Sequence, residues 1–392
     1  MSATHGQNSN REAKLARVDD QGHPVASDLK IATIEAFRLR LPYKGEVAFK
    51  SLKQSSGEYV LLRLTLNNGL QGLAETICRP EQSGEDATSI AYELTTFFTP
   101  LLKGADPLAH LAVLERLKKI RNCVTSKSLI DIALWDLRGK ILGQPVWRLL
   151  GGVAKPAPLT WIAHGNSVEG QIAEAKKMRE TRGYRGLKLK TWRRSHEDLR
   201  MIEGVRKAVG DGVTIYIDAN GSYTESEARA VFPHVVDFNV CFIEEPCDFI
   251  DPTRQRAMAA ALPVALLGDQ CCESLAEVNM HLSLQSVGAV SIKMRRTGFT
   301  DSLKIASLCE AAGVPALIGT DSESRLAAMP RIHFRAALPG LDPWPTETHF
   351  YDKLGDDVFS GDFDFRDGTL TPNDEPGFGA GIDEKKLATY AF

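Results

Sequence analysis

Five charged residues recur along this sequence at near-constant intervals: Lys190, Asp218, Glu244, Asp269 and Lys293. The successive steps are 28, 26, 25 and 24 residues, and each of the five closes a short apolar run. A strand plus a crossover helix takes about that much chain, so each step reads as one βα unit. Three acids with a lysine on either side is a pattern that can do chemistry. Asp218, Glu244 and Asp269, converging from three neighbouring strands, cannot all stay ionised without a cation among them. An oxygen-only ligand set favours a hard divalent ion, Mg²⁺ first and Mn²⁺ second. Lys190 and Lys293 are then candidates for moving protons. Lys188 shares the strand face of Lys190, because side chains alternate with period two, and is read with it as a catalytic candidate. Asn220 and Glu245, next to the acids, are candidates for holding them in place. Taken singly, an acid at a strand end is usually a helix cap and a lysine there is usually solvated. It is the five in register that carry the functional reading.

The elements that must position them follow from the pattern of the chain. From residue 156 onward, short apolar stretches alternate with helical ones. Strands are expected at 159–163, 186–190, 214–218, 241–244, 264–268, 290–293 and 316–319, with an eighth near 345–350. Helices are expected at 171–182, 198–209, 225–236 and 302–312. Seven or eight such units in this length of chain suggest a closed (β/α) barrel, whose active site lies at the C-terminal ends of the strands. An open dinucleotide-binding sheet is the alternative, but no GxGxxG follows the first strand. In a ring of eight, strands two and six are four apart, so Lys190 and Lys293 would face each other across the acids.

Residues 29–155 differ in texture. Strands are expected at 31–41 and 59–66, with Asn67-Asn68-Gly69 as a turn into a third. Helical periodicity follows, with Ile130, Leu134, Leu137 and Ile141 on one face and Gly143 and Pro145 as the stop. This reads as an α+β unit capping the barrel at 156–359, and completed by the Gly- and Asp-rich stretch 360–392. Residues 1–28 are polar and read as a disordered tail without signal-peptide character. The seven cysteines show no paired CxxC spacing and read as free thiols, consistent with a cytoplasmic protein. A formal net charge of −3 over 392 residues gives no reason to expect nucleic acid or an anionic membrane as partner. No apolar run approaches the roughly 18 residues that a membrane helix needs.

Taken together, these residues resemble the enolase superfamily, and within it the muconate-lactonizing (muconate cycloisomerase) subgroup. The resemblance rests on Asp131-Ile132-Ala133-Leu134-Trp135-Asp136-Leu137 with Gly139-Lys140, on Leu149-Leu150-Gly151-Gly152, and on Lys188-x-Lys190. It also rests on Asp218-x-Asn220, Glu244-Glu245-Pro246, Gly268-Asp269 and Ile292-Lys293, and it covers nearly the whole chain after Asp28. It implies a capping α+β domain over a modified TIM barrel, Mg²⁺ on the three carboxylates, lysine acid/base catalysis and a homo-oligomer. The family's chemistry is removal of the proton beside a substrate carboxylate to give an enediolate. Mandelate-racemase-like members end strand seven in a histidine, where this chain has Gly319-Thr320-Asp321. His333, further on, is expected to be packed in a helix. The chain departs from the subgroup at Gln270, where a second acid is common, and at Met294-Arg295, where a Gly-Gly step is common.

The expected substrate is a small-molecule carboxylate. Reprotonation would give racemisation or epimerisation, lactone closure would make the protein a cycloisomerase, and loss of a β-hydroxyl would make it a dehydratase. A Schiff-base aldolase using Lys190 or Lys293 is a further alternative. Candidate substrate contacts are Trp161 and His164 near strand one, Lys44 and Lys50 in the capping loop, Asp321 after strand seven, and Glu347 near strand eight.

Overall fold

The computed structural model describes residues 29–49, 52–165, 167–248 and 251–392. The expected tail at 1–28 and Lys50 lie outside them. The chain opens with three antiparallel strands, Ile31–Phe49, Leu52–Leu66 and Gln71–Ile77, in sequential order. Gly69 takes φ +87° in the turn at Asn67-Asn68-Gly69, a backbone conformation that a side chain would strain. The sheet then packs on the helix Val124–Ile141 so closely that a Cβ on Gly72 would stand 2.4 Å from the Ala133 carbonyl oxygen.

That helix differs from the expectation of a single apolar face. It is buried almost all round because it lies between the sheet and the barrel. Its acids serve backbone donors on three other parts of the chain. Asp131 accepts from the amides of Phe299 and Thr300, each at 2.7 Å, and His110 Nε2 lies 2.6 Å from its other oxygen. Asp136 accepts from Leu73 N and Phe378 N, both at 2.9 Å. Trp135 Nε1 donates to Thr300 Oγ1 at 2.9 Å. Buried carboxylates are tolerated when charge-assisted bonds satisfy them in this way.

The second part is a parallel sheet of seven strands in sequential order. They are Thr160–Ala163, Gly186–Lys190, Thr214–Asp218, Val240–Glu244, Ala265–Gly268, Ala289–Ile292 and Ala316–Ile318. Helices such as Val168–Arg182, Ser195–Val209 and Thr300–Ala312 cross between them. The helix expected over 225–236 is shorter. It ends at Val231 and continues as a 3₁₀ helix, Phe232–Phe238, with Pro233 in its first turn. No eighth strand forms among the described residues. In its place Thr346 bridges to Leu159, its carbonyl accepts from Thr160 N at 2.8 Å, and Glu347 N donates to Ile318 O at 2.9 Å. These few bonds join strand seven to strand one and close the ring. Tyr216, Phe242, Leu267, Ala289 and Leu317 fill its interior.

The C-terminal stretch serves both parts. Strands Asp364–Arg366 and Thr369–Thr371 form a hairpin that pairs with Ala157–Pro158 beside the first barrel strand. Helix Glu384–Tyr390 returns to the first sheet, where Arg63 Nη1 donates to Glu384 Oε1 at 2.9 Å and Phe392 N donates to Arg38 O at 3.1 Å. No helix among the described residues is long and apolar enough to cross a membrane.

Candidate active site

Strand register puts the charged residues on one rim. Lys190 pairs with Asp218 and Asp218 with Glu244 across strands two, three and four. Asp269 and Lys293 follow directly on strands five and six. Lys188 lies one inward-facing position lower, level with Tyr216. The sheet order thus sets Lys190 and Lys293 on opposite flanks of the three acids.

The acids are buried and bound to ammonium groups. Lys190 donates to Asp218 Oδ2 and, at 2.8 Å, to Asn220 Oδ1. Lys188 Nζ lies 2.6 Å from Glu244 Oε2 and 3.3 Å from Asp218 Oδ2. Lys293 donates to Asp269 Oδ2 at 2.6 Å. Among the described residues, no set of three or more His, Cys, Asp and Glu side chains is gathered as metal ligands would be. The lysines stand between the acids instead. Burial alone would raise the pKa of Asp218, but Lys190 and Lys188 outweigh it and hold the carboxyl well below its ordinary range. Asp269 is depressed in the same way, with Lys293 and Arg296 outweighing burial. Glu244 goes the other way. Burial and the neighbouring Asp218 push it well above its ordinary range in spite of Lys188. The cluster's carboxylate oxygen donors suit a hard divalent ion.

The residues beside the acids hold them in place through the backbone. Asn220 adopts φ +45° and its amide donates to Asp218 Oδ1 at 2.9 Å. Glu245 adopts φ +40° and accepts from the amides of Gln270 and, at 3.0 Å, Cys271, just past Asp269. Positive φ at non-glycine residues is costly and persists only where the surroundings impose it.

Two expected substrate contacts are placed differently. Glu347 is fully buried. Its Oε1 accepts from Tyr216 Oη at 2.5 Å and lies 3.2 Å from Lys188 Nζ. It faces the lysine below the rim, because the closing segment turns inward there. Asp321 lies between Arg331 (2.9 Å) and Arg295 (3.4 Å), so two guanidiniums already hold it. His333 is packed as expected, wholly buried against Phe378, and burial pushes its imidazole down to about 3. One contributor escaped the sequence reading. Arg296 Nη1 donates to Asp269 Oδ1 and to the Asp269 carbonyl, both at 2.9 Å. Its position three residues beyond Lys293, in the turn Met294–Thr297, was the available signal.

Above the rim opens a cleft of about 510 Å³, lined by Lys44, Trp161, His164, Lys190, Trp192 and Lys353 among others. Lys190 keeps 26% of its side chain exposed, against 10% for Lys293. Lys44, expected in a capping loop, lies instead in the strand Ile31–Phe49, and it lines the cleft together with Trp161 and His164 at the end of the first barrel strand. Lys353 was not anticipated.

Fold and rim together define a two-part barrel enzyme of the enolase type. Residues 31–151 match the mandelate racemase / muconate lactonizing enzyme N-terminal domain, and residues 171–386 match the enolase C-terminal domain-like family. The chain belongs to the enolase superfamily, in its muconate-lactonizing subgroup. It is 28% identical over 371 residues to chloromuconate cycloisomerase of Pseudomonas putida, covering 92% of this chain and 99% of the relative. It is 27% identical over 311 residues to N-succinyl-L-Arg/Lys racemase of Bacillus cereus, covering 78% and 84%. The muconate lactonizing enzyme of Pseudomonas fluorescens, solved with muconolactone, superposes with a TM-score of 0.87 at 28% identity, over 93% of this chain and all of that one. These relatives are isomerases, so the protein is an enzyme of that kind, and the dehydratase and aldolase readings gain nothing from them.

Proposed function

We propose that this protein isomerises a small carboxylate by moving the proton on the carbon next to the carboxyl group, as a racemase, epimerase or cycloisomerase. The observation that carries the reading is the placement of Lys190 and Lys293 on opposite flanks of Asp218, Glu244 and Asp269. Those three acids would hold a divalent cation, Mg²⁺ by the chemistry of the donors, which when bound stabilises negative charge on the substrate carboxylate. One lysine, in its neutral form, takes the α-proton from one face. The other, protonated, delivers a proton to the opposite face. For lactone closure or opening, a single lysine supplies or removes the proton at the ring carbon. Asn220 orients Lys190 and Asp218. Arg296 fixes Asp269 so that Lys293 keeps its direction. Glu245, through the amides of Gln270 and Cys271, positions the turn behind Asp269.

The test is α-proton exchange in D₂O followed by NMR, over muconates, amino-acid derivatives, dipeptides and hydroxy acids, with Mg²⁺ present. Exchange that stops with EDTA and returns with Mg²⁺ is the expected result. No exchange with any of these acids would refute the reading.

A further inference from the structure

Just past Asp269 the chain carries two adjacent thiols whose sulfurs are in contact. Cys271 and Cys272 lie in the 3₁₀ turn Gln270–Cys272, and their Sγ atoms are 3.7 Å apart. All seven cysteines of the chain are free thiols. Cys272 is 3% exposed, whereas Cys271 is half-buried and so the more accessible of the two. Both sulfurs lie over Gly268, where a Cβ would stand 2.7 Å from Cys272 Sγ and 3.1 Å from Cys271 Sγ. A glycine at this strand end leaves room for the pair. Gln255, buried on the helix Pro252–Ala259, directs a side-chain N–H at Cys271 Sγ from 3.4 Å. A preorganised donor there favours negative charge developing on that sulfur during a reaction.

The same turn supports an acid of the rim. The amides of Gln270 and Cys271 both donate to Glu245 Oε1, the second at 3.0 Å. Cys272 N donates to the Asp269 carbonyl at 3.1 Å, and Arg296 Nη1 donates to the same carbonyl at 2.9 Å. Asp269 is therefore held from behind by the segment that carries the thiols. A bond between the sulfurs would draw them to about 2.05 Å. Neighbouring Cα atoms are about 3.8 Å apart across a trans peptide, closer than the roughly 4.4–6.8 Å spanned by ordinary disulfides. The ring can close only if the peptide planes of the turn rotate, and that rotation takes the amides off Glu245.

We infer that Cys271 and Cys272 form a modification site for hydroperoxides, at which a disulfide between them unseats the turn behind Asp269. Cys271 sulfur attacks the O–O bond of the hydroperoxide. The S–O bond forms, the O–O bond breaks, and the alcohol (water, for hydrogen peroxide) leaves with the thiol proton. Cys272 sulfur then attacks the sulfenic acid on Cys271. The S–S bond forms, the S–O bond breaks, and water leaves with the second thiol proton. The two thiols together give up the two electrons that reduce the peroxide.

Hydrogen peroxide on the full chain tests this, read by mass spectrometry of a tryptic digest made without reductant. The peptide 257–293 contains these two cysteines and no other. It is expected to lose two hydrogens, and dithiothreitol to return them. Amide hydrogen exchange should show lost protection over 269–273 in the oxidised protein, again restored by dithiothreitol. Cys272→Ser should stop at the sulfenic acid of Cys271, captured by dimedone, with protection kept. With an acid that supports α-proton exchange, bond formation should slow it by about 10²-fold, as displacement of a reacting group implies. A peptide that keeps both thiols, a bond from either to another cysteine, or a bond that leaves protection or α-proton exchange undiminished overturns the inference. Absence of α-proton exchange in the reduced protein would instead remove the proton-transfer reading alone, because bond and protection are read without a substrate.

Discussion

Lys188 Nζ lies 2.6 Å from Glu244 Oε2 and 3.2 Å from Glu347 Oε1, at a level of the barrel where neither acid meets solvent. Burial works against the charge of Lys188, but Glu244, Glu347 and Asp218 together outweigh it and hold its pKa well above the ordinary value. Lys188, expected among the catalytic lysines, is placed by its burial as a fixed counter-ion under the rim, and Lys190 is the lysine open to the cleft. Lys188→Met would leave two buried carboxylates without their partner. Loss of about 3–5 kcal/mol of stability is expected, read from urea denaturation with an unchanged m-value. A variant within about 0.5 kcal/mol of wild type would show the pairing to be idle.

Lys190→Ala and Lys293→Ala should each lower kcat/KM by about 10²–10⁴-fold, the span of a lost acid or base. If the reaction is a racemisation, each variant should still exchange the α-proton of one enantiomer, and the two variants should differ in which. Chiral NMR of the D₂O reaction reads this directly. Full turnover in both variants would remove the lysines from the chemistry.

Addition of Mg²⁺ should raise Tm, because an ion that binds the folded chain alone stabilises it, by about 2.7 kcal/mol at a hundred times Kd. Asp218→Asn, Glu244→Gln and Asp269→Asn should each weaken or abolish the rise. Scanning calorimetry with and without EDTA checks it, and a rise that survives all three substitutions would place the ion elsewhere.

Glu75, wholly buried on the third strand of the first sheet, is pushed up to about 8 by burial, against the pull of the hydrogen bond from Ser324. Its unfolded carboxyl loses its proton near 4.5 while the folded one keeps it to about 8. Between those values the folded state binds the extra proton, so stability falls as pH rises, by up to several kcal/mol. Glu75→Gln should flatten this slope between pH 5 and 8 in urea titrations. An identical slope in wild type and variant would count against it.

The rim was legible because its message is local: each acid or lysine ends an apolar run, and the runs recur at the length of one βα unit. What stayed hidden depends on partners distant in the chain. Glu347 meets Lys188 across 159 positions, and Arg296 meets Asp269 across 27. The helix Val124–Ile141 was given one apolar face because periodicity cannot see that it has packing on every side. The eighth strand was expected near 345–350 from the repeat of βα units, yet a bridge at Thr346 and the Glu347 amide's bond to Ile318 do its work. Lys353 went unnoticed because its contact with His164 spans 189 positions and nothing local marks it.

The bonds from Asp131 to Phe299 and Thr300, and from Asp136 to Leu73 and Phe378, have a mechanical meaning. Those of Asp131 tie the helix Val124–Ile141 to the barrel, and those of Asp136 tie the same helix to the first sheet and to the C-terminal stretch, all through main-chain amides of the segments they reach. The strand segment around Lys44 can be rewritten without disturbing these bonds. New substrates could then be admitted over an unaltered reaction centre, much as a tool accepts different jaws on one frame.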